Sequence, residues 1–292
     1  RVGYIAKHDS GGNEDENAIT YALEQLGHRV ERLRESRGYV GHRLECDFVL
    51  FHHWHDPETL RRIKVPKVFW QFDLVTYPDP TLSQRNQRRI QWMNDIIPLV
   101  DLGFCTDGDW VKQDQSGKLN WLMQGCDSRF AVPGKASSVI VPLLFTGMSK
   151  GGGLGRESFV EEMRHRYRSQ FSQIRGVHGE ALADVIASSD IVLAPDHPAT
   201  DTYWSNRVFL TLGFQGFLLH PYCERLKDFY EDGKELVMYK SRSELYELID
   251  HYLKSPSERQ KIREAGYART IAEHTYTHRV EKLIQVVKER LF

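Results

Sequence analysis

The strongest constraint on this chain is an alternation of short apolar runs with amphipathic stretches that runs once, breaks, and starts again. Val2–Ala6 reads as a buried strand, followed by a loop, Lys7–Asn13, with Gly11 and Gly12. Ala18, Ile19, Ala22, Leu23 and Leu26 then recur at helical spacing, and Gly27 stands where a C′ glycine stops a helix. Strands are expected at Arg29–Leu33, Phe48–His52, Lys67–Phe72, Leu102–Thr106 and Trp121–Gln124, with the clearest helix at Leu82–Ile97. Pro133-Gly134-Lys135 interrupts the pattern and sets a boundary at 133–137. The second round has strands at Ser138–Phe145, Ser172–Arg175, Ile191–Ala194, Phe217–His220 and Leu236–Tyr239. Its helices are expected at Arg156–Tyr167, Glu180–Ser188 and Asn206–Phe214. Ser255-Pro256-Ser257-Glu258 opens a further helix with Ser at N-cap, Pro at N1 and Glu at N3. The last helix carries Val280, Leu283, Ile284, Val287 and Leu291 on one face.

Such alternation predicts an α/β chain of two doubly wound, mostly parallel sheets. The expected division is residues 1–135, residues 136–275, and a terminal helix, 276–292, that returns to the first domain. Ligands of such sheets sit beyond the carboxyl ends of the strands, so the expected site is the cleft between the domains.

Charge narrows the partners. Lys plus Arg is 39 and Asp plus Glu is 40, which argues against a strongly basic nucleic-acid binder and against an acidic tail. Cys46, Cys105, Cys126 and Cys223 form no CxxC and predict free thiols in a reducing cytoplasm. The longest apolar run, Val139–Phe145, is far short of the roughly 20 residues of a membrane span, and no signal sequence is legible. The expectation is a cytoplasmic protein with no membrane span.

Several motifs fall at strand ends. Thr146–Arg156 is a glycine-rich strand-to-helix loop whose N–H groups suit a phosphate, with Gly147, Lys150, Gly152 and Arg156 as candidate contacts. It has neither GK[ST] nor GxGxxG, and a plain surface loop is the competing reading. Tyr203, Ser205, Asn206 and Arg207 open the helix Asn206–Phe214, with Ser205 or Asn206 as its cap. Arg207 opposes the helix dipole, which either an anion or a local carboxylate would relieve. His178, just ahead of the helix Glu180–Ser188, joins these donor-site candidates. His52, His53, His55 and Asp56 follow a strand and read as a polar site edge, with metal the lesser option. Asp73, at a carboxyl end, is a candidate general base or an ordinary turn residue. Asp9, Ser10 and Gly11 end the first strand.

The second half resembles group 1 glycosyltransferases. The carriers are Ala181–Pro195, a helix and then a strand ending in Pro, and Ser205–Leu219, which resembles their donor-site helix and following strand. Asp228-Phe229-Tyr230, Gly233-Lys234-Glu235, Ala265-Gly266 and His274–Arg279 resemble the spore-maturation-type branch. The likeness covers about 138–292; in the first half only the layout matches, including Asn120–Phe130.

The resemblance implies a GT-B fold and a metal-independent transfer without a cofactor. The nucleotide-sugar donor, UDP- or GDP-linked, would sit mainly on the second domain and the acceptor on the first. It casts Asp73, His53 and Arg207 as catalytic, and Asp9, Ser10, Gly11 and His55 as acceptor-binding. Leu210 stands where the family has a ribose-binding glutamate, and Phe72 where many relatives have histidine. The acceptor stays open among a glycan, a protein, a small molecule and a modified DNA base, the last drawing on Arg85, Arg88 and Arg89. A non-catalytic nucleotide-sugar binder on the same fold is the alternative that Leu210 keeps open, and both inverting and retaining courses remain open.

Overall fold

A computed structural model describes residues 1–8, 14–35, 44–52, 57–75, 83–131, 140–149, 155–195 and 200–292. The chain divides into two compact units, Arg1–Gln124 with Tyr276–Phe292, and Gly125–Thr275. The break expected at 133–137 lies outside the described residues. Residues just before it already bond within the second unit, where the Cys126 N–H donates to the His274 carbonyl at 2.9 Å.

The first unit has six strands: β1 (Val2–Ala6), β2 (Val30–Arg34), β3 (Phe48–Phe51), β4 (Lys67–Gln71), β5 (Leu102–Cys105) and β6 (Leu119–Trp121). All pair in parallel, in the order β2-β1-β3-β4-β5-β6. Its helices are α1 (Glu14–Gln25), α2 (Pro57–Arg62), α3 (Ser83–Ile96), α4 (Gly108–Gln113) and, from the end of the chain, α10 (Tyr276–Leu291). β1, β3 and β5 are buried along their whole length, as sheets covered on both faces require. Successive side chains therefore serve opposite layers. Tyr4, Leu50, Trp70 and Phe104 pack on Ile19, Leu23, Val280, Leu283 and Val287 of α1 and α10. Ile5, Val49, Phe51 and Phe69 pack on Leu60, Met93 and Ile96 of α2 and α3.

α1 stops as its sequence requires. Gly27 has φ +81°, its N–H donates to the Glu24 carbonyl, and the His28 N–H donates to the Leu23 carbonyl, each at 3.0 Å. That pairing satisfies the last carbonyls in a backbone conformation that costs glycine little.

The second unit repeats the plan. Its elements are β7 (Val141–Thr146), α5 (Arg156–Tyr167), β8 (Phe171–Ile174), α6 (Gly179–Ala187), β9 (Ser189–Leu193), α7 (Arg207–Gly213), β10 (Leu218–Pro221), β11 (Val237–Tyr239), α8 (Arg242–Lys254) and α9 (Pro256–Glu273). The strand order is β11-β10-β9-β7-β8, again parallel. Leu143, Phe145, Ile191, Leu193, Phe217 and Leu219 of the sheet meet Phe159, Met163, Leu245 and Ile249.

One local expectation differs. Ser255 is the N-cap of α9 with Pro256 behind it, but its hydroxyl makes no capping bond. The same residue closes α8, its N–H donating to the Tyr252 carbonyl, and its φ −119°, ψ 62° lie outside the extended region a side-chain cap uses. Glu258 instead meets His251 Nε2 at 2.8 Å.

α10 is tied into the first unit at its first residue. Tyr276 OH donates to Asp15 Oδ1 at 2.5 Å, Gln124 Nε2 donates to Asp15 Oδ2 at 3.0 Å, and Arg279 Nε donates to the Gln124 carbonyl at 3.0 Å. Burial pushes the Asp15 carboxyl above its ordinary range, against the Tyr276 hydrogen bond that holds it down. A folded-state pKa above the unfolded one means stability that is complete at low pH and lost as pH rises through the raised value. Asp15→Asn removes this titration. The wild type should therefore gain on the variant as pH is lowered, and fall behind it as pH rises. Denaturant unfolding of both proteins from about pH 4 to 7 reads the difference, and a difference flat in pH contradicts the assignment.

Candidate functional site

Doubly wound sheets place their ligands at the point where strand order reverses, outside the carboxyl ends. The two strand orders put this point between β1 and β3 in the first unit and between β7 and β9 in the second.

In the second unit the switch point is built around Arg207, the first residue of α7. Its Nε donates to the carbonyl of Thr146, the last residue of β7, at 2.8 Å, and its Nη1 to Ser205 Oγ at 3.0 Å. The guanidinium stands over the Phe145 ring, 5.1 Å from the centroid. Gly147 lets it lie there: a Cβ at this position would be 2.9 Å from Arg207 Nη2, and φ is +129°. Gly147 is also pinned by its neighbour strand. Its N–H donates to the Ile174 carbonyl at 2.9 Å and its carbonyl accepts from Gln173 Nε2 at 2.7 Å.

The other donor-site candidates surround the same strand ends. Arg156 is the first residue of α5, behind Gly155 at φ +82°. His178 is the N-cap of α6 in extended conformation and is exposed. Tyr203 is partly buried and bridges to Thr200. Asn206 is the N-cap of α7, but neither it nor Ser205 makes the side-chain cap expected from the sequence. Asn206 is already in the helical region at φ −55°, ψ −16°, and the Ser205 hydroxyl accepts from Arg207. Leu210 is partly buried one turn into α7. Lys150 and Gly152 lie outside the described residues.

In the first unit a buried polar chain occupies the switch point. His52, directly after β3, is 5% exposed. Its Nδ1 lies 3.2 Å from Tyr4 OH and its Nε2 3.4 Å from Glu16 Oε1. Glu16, 2% exposed, accepts from the Lys7 N–H at 2.7 Å. His8 Nε2 meets the Tyr4 carbonyl at 2.8 Å, and His52 stacks on Phe72 at 4.8 Å. Asp73, half exposed beyond the end of β4, accepts from Arg89 Nη2 at 3.2 Å, while Arg89 Nη1 bonds the Leu74 carbonyl. Arg89 is therefore turned inward and does not join a basic surface with Arg88. Asp9, Ser10, Gly11, His53 and His55 lie outside the described residues.

Sequence reasoning missed Asp15, Glu16 and Tyr4. The signal was present: Glu16 shares the stripe of Ile19 and Leu23, and Asp15 that of Ala18 and Ala22, so two acids head the apolar face of α1. Among the described residues no three His, Cys, Asp or Glu side chains gather as a metal site.

The Arg207–Gly147 contact yields a stability test. Gly147→Ala combines a strained φ with displacement of the guanidinium, and should cost about 1–3 kcal/mol. In an Arg207→Ala background the steric part disappears and the cost should shrink. A double-mutant cycle by denaturant unfolding measures this coupling, and strict additivity argues against the contact.

Comparison with known proteins now bears on the site. Residues 149–285, just under half of the chain, match a family described as glycosyl transferase-like. No curated protein sequence matches the chain. Among solved structures, a sucrose-phosphate synthase from Thermosynechococcus elongatus superposes with TM-score 0.71 at 10% identity, over 99% of this chain and 98% of that one. Anabaena HepE in complex with UDP-glucose gives 0.69 at 11% identity, over 99% of both chains. A glycosyltransferase from Rickettsia africae gives 0.63 at 11% identity, over 99% and 98%. The fold is thus GT-B over the whole chain, and the glycosyl transferase-like match spans most of the second unit and the start of α10.

Proposed function

We propose that the protein transfers a sugar from a nucleoside-diphosphate sugar, UDP-linked in the first instance, and that the Gly125–Thr275 unit holds the donor. The observation that carries this reading is the guanidinium of Arg207 at the β7/β9 switch point, beside a glycine that leaves room for it. HepE, of the same fold, has been seen with UDP-glucose. Arg207 Nη2, against Gly147, is assigned to the diphosphate. Arg156 and the backbone N–H groups at the start of α5 add positive potential. These groups oppose the charge that grows on the leaving diphosphate, so the reaction is proposed to need no metal. The Arg1–Gln124 unit is assigned to the acceptor, with Asp73 as its base in an inverting course. The tail motifs support membership of the spore-maturation-type branch of the group 1 enzymes, and the four free cysteines support a cytoplasmic setting.

Leu210 favours a second reading, a donor binder without turnover, because leucine cannot hydrogen-bond a ribose. If the diphosphate carries recognition instead, UDP still binds. Binding stabilises by about 2.7 kcal/mol at a hundredfold excess over Kd. UDP or GDP should therefore raise the melting temperature, and no response to UDP, GDP, ADP or TDP removes the donor assignment. Leu210→Glu should strengthen the UDP response if the ribose is unheld in the wild type; an unchanged response shows that another residue already holds it.

Arg207→Ala should lower turnover by roughly 10²–10³ per folded molecule, and Arg207→Lys should recover only part, because the planar fork is lost. The bonds to Thr146 and Ser205 also predict a lower melting temperature for Arg207→Ala without ligand. Normal turnover per folded molecule would make the residue structural alone. Turnover that persists in EDTA supports the metal-independent course.

A further inference from the structure

A groove of about 480 Å³ beside α3 is lined by Gln87, Arg88, Gln91, Trp92 and Asp95 of that helix and by Pro57 of α2. Its volume lies within the range of small-ligand sites. Pro57 begins α2, the helix that follows the carboxyl end of β3, which is the ligand-bearing side of the sheet. None of these residues belongs to the donor site. We propose that this groove is an acceptor subsite for a neutral saccharide, an inference that rests on the reading of the protein as a glycosyltransferase.

The lining matches that chemistry. A pyranose offers an apolar C–H face and a rim of hydroxyls that both donate and accept. Trp92 supplies an amphipathic ring: it packs edgewise on Phe69, centroids 5.3 Å apart at 63°, and stays partly exposed. Gln87 and Gln91 each offer a donor and an acceptor group, Arg88 a planar fork and Asp95 two acceptor oxygens. Gln91 Nε2 donates to Asp95 Oδ1 at 2.9 Å, which sets these two side chains on one flank of α3. Among the described lining residues one cation is offset by one anion, so this lining carries no net charge. Among the described lining residues, a lipid chain would find only Pro57 and Trp92 as apolar contacts. Among the described residues of α3, a nucleic-acid backbone would meet Asp95 and one exposed arginine, because Arg89 is buried against Asp73 and Leu74.

The test titrates a panel of neutral gluco-, galacto-, manno-, rhamno- and N-acetylhexosamine oligosaccharides into the full chain. Saturation-transfer NMR and tryptophan fluorescence follow binding. At least one saccharide should bind the wild type. Arg88→Ala with Gln91→Ala should weaken it about tenfold or more. Trp92→Phe should abolish the fluorescence response while keeping a packing ring against Phe69. All variants should keep the wild-type thermal shift with UDP. In turnover, the double variant should raise KM for that saccharide with kcat nearly kept. Equal saccharide binding by the double variant overturns the proposal, as does a panel in which nothing binds. Selective binding of lipid vesicles or duplex DNA in place of saccharide also overturns it. A wild type without a UDP response removes the donor reading alone, since the saccharide titration still decides the groove.

Discussion

The first unit depends on the docking of α10. An all-parallel sheet is buried on both faces, and short crossovers leave each face to be covered by helices. α1 is the only helix of residues 1–124 whose apolar side chains share the cluster with Tyr4, Leu50, Trp70 and Phe104 among the described residues. Val280, Leu283, Ile284 and Val287 complete that layer, and Trp70 and Tyr4 are fully buried in consequence. Each large side chain taken out of water contributes about 1.5–3 kcal/mol. A chain ended before Tyr276 would therefore expose a row of them. The Asp15–Tyr276–Gln124 bonds fix where the helix begins, and the apolar stripe fixes which face it turns inward.

Repetition of one strand order then determines where chemistry is found. Both sheets reverse direction beside their first strand, so the residues that leave β1 and β7 are the ones set out for ligands. At the second of these points, magnitudes decide how Arg207 is held. A cation at a helix N-terminus costs about 0.3–1 kcal/mol. Two hydrogen bonds from a charged donor contribute about 1.5–3 kcal/mol each, and the Phe145 face adds to them. The local bonds outweigh the dipole, so the dipole conflict seen in the sequence does not require an anion. What favours an anion there is the position at the strand ends and the space beside Gly147.

Most of the architecture was legible because each element carried its own signal. Buried strands such as Val2–Ala6 and the α5 span Arg156–Tyr167 are fixed by apolar runs and by spacing, and Gly27 stops α1 where its φ allows. What escaped was long-range. The capping roles of Ser205 and Ser255 failed because a local rule met a competing demand: the first hydroxyl is taken by Arg207, and the second residue closes the preceding helix. The exposed basic stretch dissolved for a similar reason, since Arg89 lies on the inward side of α3 while Arg88 lies on the outward side. A helical pattern assigns faces once the partner is known, and Asp73 and Leu74 become neighbours of Arg89 only in the folded unit.

The buried chain of Tyr4, His52 and Glu16 has a different logic. Such a cluster is costly if any member is unsatisfied and rigid if all are. Both His52 ring nitrogens meet buried partners, Tyr4 and Glu16, so the imidazole ties these two side chains together. Glu16 reaches past it to the N–H of Lys7, the first residue after β1. The cluster therefore holds together the ends of the two strands that flank the switch point, β1 through Lys7 and β3 through His52. A leucine at position 16 would fill the same space and bury well, but it would leave the Lys7 N–H and the imidazole without a carboxylate. The acid is thus best understood as fixing the geometry of the strand ends, at a place where parallel sheets put their ligands and where an apolar contact would leave the departing backbone unheld.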